Sequence, residues 1–235
     1  MSLQNCEKPS DDVLTSDELL LSALDQERQR RLIENRLAYF VPYPKQLAFF
    51  NAGAKHRERL FMAGNRCGKT MCGAAEMTFH LTGLYPPYWA GKRFDKPVRA
   101  WAAGVTAESC RDVVQEKLVG PPLRRLEWGT GLIPKHLLGE ISMAKGINDL
   151  IDSVSVKHVS GGNSDLQFKS YAAQREKWQG VGLEVVWMDE QPPDDIYFEA
   201  LSRTNETNGI VFTTFTPIEG VSGIVRMFLQ EAEKI

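Results

Sequence analysis

The chain has 235 residues, of which 43% are hydrophobic and 25% charged, and its formal net charge at pH 7 is −2. These values fit one sizeable α/β core and lack the strong basic excess that many nucleic-acid-binding domains carry. No apolar run approaches the roughly 20 residues that span a bilayer, and residues 1–12 are too polar for a signal peptide. We therefore expect no membrane partner and a cytosolic location.

A charged helix is predicted near the N-terminus. Residues 15–18 (Thr-Ser-Asp-Glu) have the pattern of a capping box, in which two side chains satisfy the first free N–H groups of a helix. The stretch that follows is helical in character to about Tyr39, with leucines set among many charged residues. We expect a helical extension over residues 1–40 and one further domain over residues 41–235.

A second short helix is predicted from Pro44 to Gly53, because proline favours the first turn of a helix and glycine its end. It contains Gln46, whose amide can donate and accept hydrogen bonds and so can read the edge of an adenine ring. Tyr43 or Phe49 is available to stack on the base. A surface glutamine accounts for the spacing equally well, so both interpretations stay open.

The segment from Ala63 to Thr70 has the composition of a phosphate-binding loop, with a predicted strand before it (residues 59–62) and a predicted helix after it (residues 70–81). In such a loop the backbone N–H groups surround the phosphates, Lys69 reaches the terminal phosphates and the Thr70 hydroxyl holds Mg²⁺. The usual motif begins with glycine, where this chain has Ala63; a chance Gly-Lys-Thr is the alternative. The candidate nucleotide-binding residues are Gln46, Ala63, Gly64, Asn65, Arg66, Cys67, Gly68, Lys69 and Thr70.

Further strands are predicted at residues 98–104 and, as a β-hairpin, between residues 153 and 171, and Thr106 is expected to cap a helix. The hairpin turn, residues 159–163, is similar to the signature loop of ABC-type ATPases, in which serine and glycines contact the nucleotide of a second subunit. That signature begins a helix, whereas residues 166–170 alternate between apolar and polar side chains. The alternation favours the hairpin.

Two carboxylates follow the next predicted strand. Four apolar residues, 185–188, indicate a strand that is buried on both faces, and Asp189 and Glu190 come directly after it. Ligands of open α/β sheets bind at the carboxyl ends of the strands. We expect Asp189 to orient Mg²⁺ through water and Glu190 to polarise the water that attacks the γ-phosphate. An exposed Asp-Glu turn before Pro192 is the alternative.

A last buried strand is predicted at residues 209–217, and it ends in three threonines and a proline. In a parallel sheet this strand would end beside the strand that carries the carboxylates, so Thr214 or Thr216 can hydrogen-bond the attacking water or Glu190. The alternative is a run of threonines that merely favours strand structure.

The chain resembles the ATPase domain of the large terminase subunit, the DNA-packaging motor of tailed bacteriophages. The resemblance rests on Gln46 and on residues 63–70, 185–190 and 213–217, which occur in this order. The resemblance covers about residues 39–220. It implies a three-layer α/β P-loop NTPase fold (ASCE/RecA-like) with a mainly parallel central sheet. It also implies ATP-driven translocation of double-stranded viral DNA into a procapsid, in the cytoplasm of the host cell.

The resemblance also assigns roles to single residues. Lys69 and Thr70 match the contacts to phosphate and Mg²⁺, Asp189 matches the second metal residue, and Glu190 matches the catalytic carboxylate. Arg66 matches a loop arginine whose position depends on the nucleotide state. The expected catalytic residues are therefore Glu190, Lys69 and Arg66. The expected coupling residues are Thr214 and Thr216.

A packaging motor implies partners: double-stranded DNA, a portal protein, a small terminase subunit and further copies of the chain in a ring, although the isolated chain can also be a monomer. Family members continue into a nuclease domain, which we expect to be absent here because the chain stops at Ile235. We therefore expect no nuclease activity. A ring also needs an arginine that acts on the neighbouring subunit, and the candidates are Arg111, Arg124, Arg125, Arg175 and Arg203.

Three other functions remain as alternatives. A two-domain helicase shares the glutamine, the phosphate loop and the Asp-Glu strand, but it needs a second RecA-like domain for which 235 residues leave no room. A nucleotide-dependent switch would bind without useful hydrolysis, and Glu190 has no clear purpose in it. A nucleotide kinase needs an acceptor site, and nothing in the sequence marks one.

Overall fold

A computed structural model describes residues 15–173, 178, 180–217 and 223–232 of the chain. Within these residues the centre of the fold is a seven-stranded sheet. Its strands are β1 Glu58–Met62, β2 Arg99–Gly104, β3 Leu138–Met143, β4 Ile151–Lys157, β5 Asn163–Ser170, β6 Val185–Asp189 and β7 Ile210–Phe215. They lie in the order β1-β7-β6-β2-β5-β4-β3. The first five strands in this order pair in parallel, and β4 and β3 are added by antiparallel pairings.

Helices precede the sheet and cover its faces. A π-helical segment, Cys110–Gln115, joins two short helices, α4 (Ala107–Ser109) and α5 (Glu116–Leu118). No helix in the described part of the chain has the length and apolarity to cross a membrane. The helices are α1 Ser16–Glu34, α2 Pro44–Ala52, α3 Lys69–Thr82, α4 Ala107–Ser109, α5 Glu116–Leu118, α6 Asp194–Arg203 and α7 Gly223–Ala232.

Strand β6 shows how the layers are built. Its side chains alternate between the two faces of the sheet, as the period of a strand requires. Val185 and Trp187 join the core cluster that includes residues of α3, whereas Val186 and Met188 join the cluster that includes residues of α6 and α7. All four are buried. The predicted three-layer α/β architecture with a mainly parallel sheet is therefore confirmed.

The N-terminal helix begins where the capping box predicts. Glu18 N donates to Thr15 Oγ1 over 3.4 Å, and Thr15 N donates to Glu18 Oε2 over 2.8 Å. The helix ends at Glu34 rather than near Tyr39, because Asn35 leaves the helical region with φ −141° and ψ 58°, and a 3₁₀ turn follows. No residue of α1 is buried.

Other boundaries differ from the sequence predictions in instructive ways. Gly53 follows α2 but keeps a right-handed φ of −62°. A Cβ there would come within 3.0 Å of the Arg59 guanidinium, so this glycine makes room for a side chain.

Strand β3 was not predicted, since its side chains are half-buried or exposed. The hairpin is confirmed as β4 and β5, and the ABC interpretation is wrong because Asn163 begins a strand.

A buried charge cluster joins β1 to α3. The Arg59 guanidinium forms an ion pair with Glu76 and donates to Phe49 O over 3.0 Å, and His80 Nε2 lies 3.3 Å from Glu76 Oε1. Burial alone would raise the pKa of Glu76, but the Arg59 charge and the bonds from His80 and Arg59 outweigh it and lower that pKa. Burial lowers the pKa of His80. The cluster fixes the helix that carries Lys69 against the strand that leads into the phosphate loop.

Candidate active site

The loop of residues 63–68 connects β1 to the start of α3. Gly68 caps α3 in the left-handed region with φ 75°, and Arg66 is also left-handed with φ 60°. Lys69 is 7% exposed, and its Nζ donates to Gly64 O over 2.7 Å. The loop therefore curves over the helix N-terminus, where free N–H groups and the helix dipole favour a phosphate. The loop residues Gly64, Asn65, Arg66 and Cys67 are exposed and Ala63 is half-buried.

Gln46 ties α2 to this loop. Its side chain is buried; Oε1 accepts from Tyr43 N over 2.8 Å and Nε2 donates to Gly68 O over 2.9 Å. These bonds use one N–H and one lone pair of the amide, so a second N–H and a second lone pair remain for an adenine contact, which stays a prediction. Phe49 stacks on Phe61 in the core, which leaves the exposed Tyr43 as the aromatic side chain that can stack on a base.

A cavity of about 510 Å³ adjoins Gln46 and the phosphate loop, and it has the size of a small-ligand pocket. Its lining includes Arg36, Tyr39, Tyr43, Gln46, Gly68 and Met71. A larger cavity of about 790 Å³ lies between α2, β1 and α7, but no residue of the loop 63–68 or of the carboxylate pair lines it. The smaller cavity is therefore the one that can hold a base next to the phosphate site.

Asp189 is held at the carboxyl end of β6 by two hydroxyls. Thr70 Oγ1 donates to Oδ2 over 3.2 Å, and Thr214 Oγ1 donates to Oδ1 over 2.7 Å. Burial raises the pKa of Asp189 to about 7, with the Glu190 charge acting in the same direction and the two hydroxyl bonds and Lys69 acting against it. A buried carboxylate beside a hydroxyl is a hard oxygen donor set, so Thr70 and Asp189 fit Mg²⁺.

Trp187 fixes the direction of the Thr214 hydroxyl. The indole Nε1 donates to Thr214 Oγ1 over 2.8 Å, so the hydroxyl accepts there and its single proton goes to Asp189. The indole lies against Gly73 of α3, where a Cβ would meet Nε1 at 2.3 Å. The sequence predictions missed both residues, although a glycine inside a predicted helix is a recognisable sign of close packing.

Glu190 leaves the strand in an unusual conformation. Its φ is 64°, a left-handed value that costs a residue other than glycine about 1–3 kcal/mol. Its N–H still donates to Thr214 O over 2.9 Å, and its Oε2 accepts from Thr216 N over 3.4 Å. The Thr214 hydroxyl therefore donates to Asp189 and not to Glu190. The Glu190 carboxylate accepts instead from the backbone N–H of Thr216. The turn points the two neighbouring carboxylates to different partners.

Thr216 also reaches the phosphate loop, because its Oγ1 donates to Asn65 Oδ1 over 2.9 Å. This residue lies just beyond the end of β7, between the loop and Glu190. The structure thus brings Thr70, Asp189, Thr214, Glu190 and Thr216 together with the loop, as the parallel order of β1, β7 and β6 requires.

Four of the five arginine candidates for action on a neighbouring subunit form ion pairs within the chain, and Arg175 lies outside the described residues. The pairs are Arg111 with Asp112, Arg124 with Glu127, Arg125 with Asp149 and Arg203 with Glu199.

Comparison with known proteins gives a consistent result. The family described as "Terminase large subunit, T4likevirus-type, N-terminal" matches residues 60–235. The chain is 40% identical over 233 residues to the large terminase subunit of Salmonella phage P22, a match that covers 92% of this chain and 46% of the relative. The chain therefore spans less than half the length of that curated relative.

Solved structures of the large terminase from a thermophilic bacteriophage share the fold. One matches with a TM-score of 0.56 at 13% identity and covers 83% of this chain and 44% of the other. A second, in complex with ADP, matches with a TM-score of 0.51 at 14% identity and covers 82% of this chain and 43% of the other. At these identities the likeness concerns the fold alone, and it confirms the predicted P-loop NTPase class.

Proposed function

The chain belongs to the terminase large subunit family, N-terminal part, and we propose that it is the ATP-hydrolysing motor domain that drives double-stranded viral DNA into a procapsid. One observation carries the proposal. Asp189 accepts hydrogen bonds from both Thr70 of the phosphate-loop helix and Thr214 of β7, and Glu190 is turned away from it toward Thr216. The residues that we propose as metal ligand and catalytic carboxylate therefore lie beside the loop of residues 63–68, at one edge of the sheet.

Nucleotide binding is the first step that these residues would perform. The exposed backbone of residues 64–67 and the N-terminus of α3 would surround the phosphates. Lys69 would exchange its bond to Gly64 O for a terminal phosphate oxygen, which needs little movement because the ammonium already lies under the loop. The structure of the thermophilic phage terminase with ADP supports an adenine nucleotide as the ligand. Gln46 and Tyr43 would meet the base.

Hydrolysis would use the two carboxylates differently. Thr70 and Asp189 would hold Mg²⁺, which supplies charge stabilisation to the phosphates when bound. Asp189 is buried and accepts hydrogen bonds from two hydroxyls, so the position of its carboxylate is fixed. Glu190 is only half-buried and would orient the attacking water and accept its proton. Arg66, on the exposed loop, would stabilise charge on the γ-phosphate.

Coupling would run through Thr216. This residue contacts the loop through Asn65 and the catalytic carboxylate through its backbone N–H, so a change in the loop on phosphate release reaches Glu190 and the segment after β7. Thr214 would take part because its hydroxyl connects the Asp189 carboxylate to β7. We propose Thr214 and Thr216 as the coupling residues on this geometry.

Membership of the family supports a proposal for the biological setting. We propose double-stranded DNA, a portal protein, a small terminase subunit and a ring of identical chains as partners, and the host cell cytoplasm as the place of action. We propose residues 1–40 as an N-terminal extension, of which residues 1–14 lie outside the described residues, and residues 41–235 as the ATPase domain.

The test is steady-state Mg²⁺-ATP hydrolysis with and without double-stranded DNA, beside measured ATP binding. We expect Lys69→Ala to abolish turnover and Glu190→Gln to lower it by about 100- to 10,000-fold while ATP still binds, and we expect DNA to stimulate the wild type. Glu140→Gln, the same change on exposed β3, is the matched control and should behave as wild type. ATP binding without turnover, even at high concentration with DNA, would refute hydrolysis and favour a nucleotide-dependent switch.

A further inference from the structure

Tyr171 lies at the end of β5 and has no role in the site described above. Its N–H donates to Gly104 O over 2.9 Å and so continues the parallel pairing of β5 with β2. The side chain is 8% exposed. Its ring lies 6.1 Å from that of Trp178, which meets Trp101 edge-on at 5.5 Å. Both the backbone and the ring are therefore fixed by the core, and the direction of the hydroxyl is fixed with them.

The Tyr171 hydroxyl contacts the backbone of both carboxylate residues. It lies 3.0 Å from Asp189 O and 3.1 Å from Glu190 O, so its one proton is shared between two consecutive carbonyl groups. In an extended strand consecutive carbonyl groups point in opposite directions. They can meet one donor here because the backbone of Glu190 is left-handed, with φ 64°. The tyrosine thus contacts the backbone at the turn that separates the two carboxylates.

We propose that Tyr171 is a positioning residue that holds Glu190 in its left-handed conformation and thereby aims the Glu190 carboxylate at the attacking water. The inference rests on the proposed hydrolysis. A left-handed backbone is strained for glutamate and persists only where its surroundings impose it. Two backbone bonds impose it here: Glu190 N to Thr214 O on one side and the Tyr171 hydroxyl on the other. Without the hydroxyl, the turn can relax and Glu190 Oε2 can leave Thr216 N.

The substitution Tyr171→Phe removes one oxygen atom and keeps the ring in the core. Tyr197→Phe is the matched control, because Tyr197 is also buried and its hydroxyl donates to Glu58 Oε2 over 2.8 Å, at the start of β1 rather than at the carboxylates. In a crystal structure of the Tyr171→Phe chain, we expect Glu190 to leave the left-handed region and lose its contact with Thr216 N. A structure with φ of Glu190 still near 60° and the contact intact would overturn the inference, with or without measurable turnover.

Steady-state kinetics are the second measurement, and kcat would not change if Tyr171 only stabilised the fold. We expect Tyr171→Phe to lower kcat about 10- to 100-fold, as a small misplacement of a catalytic group does, while KM and the Kd of ATP stay within about twofold because Lys69 and Thr70 are untouched. Tyr197→Phe should keep the wild-type kcat. In a Glu190→Gln background Tyr171→Phe should have no further effect on residual turnover.

The possible failures can be told apart. If the wild type hydrolyses ATP and Glu190→Gln retains only a small residual rate, hydrolysis stands, and a wild-type kcat in Tyr171→Phe overturns the role of the tyrosine alone. An equal further loss in the Glu190→Gln background would also overturn it, since the tyrosine would then act elsewhere. If the wild type lacks turnover, the proposed function fails and the crystal structure decides whether Tyr171 holds the turn.

Discussion

The Thr216 hydroxyl donates to Asn65 Oδ1 over 2.9 Å, so the chain just beyond β7 is in direct contact with the phosphate loop. The two residues are 151 positions apart in the sequence. A side chain at this junction can respond to the position of the loop without contacting the nucleotide, whereas the backbone N–H of the same residue contacts Glu190. The two contacts can be separated by substitution.

Thr216→Val removes the contact to Asn65 and keeps the backbone N–H that reaches Glu190. We expect ATP hydrolysis without DNA to stay within about twofold of wild type, since uncoupled chemistry needs only the catalytic groups. Stimulation by double-stranded DNA should fall several-fold. The measurement is steady-state turnover across a DNA titration. Wild-type stimulation in the variant would show that this contact does not transmit the signal.

Thr214→Val removes the donor to Asp189 Oδ1 and leaves the buried Trp187 indole N–H without its partner. A buried unpaired donor costs about 1–3 kcal/mol, so we expect a lower free energy of unfolding by that amount. Asp189 also loses its anchor, so a higher Mg²⁺ concentration should be needed for half-maximal turnover. Urea unfolding and a Mg²⁺ titration measure the two effects, and an unchanged Mg²⁺ dependence would contradict the anchoring role.

Thr213→Val is the matched control on the same strand, and it should act in the opposite direction. Thr213 is fully buried, and its hydroxyl has no hydrogen-bond partner among the described residues. Valine has the same shape without the hydroxyl, so we expect an increase of about 1 kcal/mol in the free energy of unfolding. Turnover should be unchanged. A destabilised variant would mean that the hydroxyl has a partner in solution, such as a bound water.

These three threonines show what the sequence can and cannot predict. Four consecutive apolar residues before Asp189 were enough to predict β6, and β-propensity with apolar neighbours was enough for β7. The roles of Thr213, Thr214 and Thr216 depend on the register of β7 against β6, which places Thr214 opposite Asp189. No local pattern encodes that register, so the sequence left Thr214 and Thr216 as alternatives for one role.

Tyr171 and Trp187 were missed for a related reason. Each acts through a hydrogen bond to a residue that is distant in the sequence, 18 and 27 positions away respectively. Their aromatic character predicts only that they are buried. Phosphate-loop residues were predictable because their function depends on local backbone conformation, whereas positioning residues depend on which strands are neighbours. Strand β3 was missed because it lies at the sheet edge and its residues are half-buried or exposed.

Gly73→Ala should be destabilising, although alanine normally favours a helix over glycine by about 1 kcal/mol. The added Cβ would lie 2.3 Å from Trp187 Nε1, and the indole cannot move without breaking its bond to Thr214. Overpacking of this kind costs about 1–3 kcal/mol, which we expect to see in urea unfolding. In a Trp187→Phe background the same substitution should cost much less. Equal costs in both backgrounds would place the strain elsewhere.

Acid should destabilise the fold through the cluster of Arg59, Glu76 and His80. Burial lowers the pKa of His80, so below about pH 6.5 the unfolded chain takes up a proton that the folded chain does not, and stability falls. The lowered pKa of Glu76 adds a loss below about pH 4.5, where the unfolded carboxylate becomes protonated first. Between pH 7.5 and pH 5.5 we therefore expect His80 to lower the free energy of unfolding in urea. Asp189 acts in the opposite direction, because its pKa of about 7 lets the folded chain take up a proton before the unfolded chain does. The contribution of His80 is accordingly the difference in pH dependence between wild type and a His80 variant.

His80→Gln tests that origin. The variant should be less stable than wild type at pH 7.5, because His80 Nδ1 lies 2.9 Å from the Tyr85 hydroxyl and Nε2 contacts Glu76. From pH 7.5 to pH 5.5 the free energy of unfolding of the variant should nevertheless fall less, or rise more, than that of wild type, since one buried histidine is gone. His158, whose pKa is also lowered chiefly by burial, should still contribute a loss in the variant. His136→Gln, at an exposed position, is the control and should keep the wild-type slope. A wild-type slope in His80→Gln would assign the acid sensitivity to other groups.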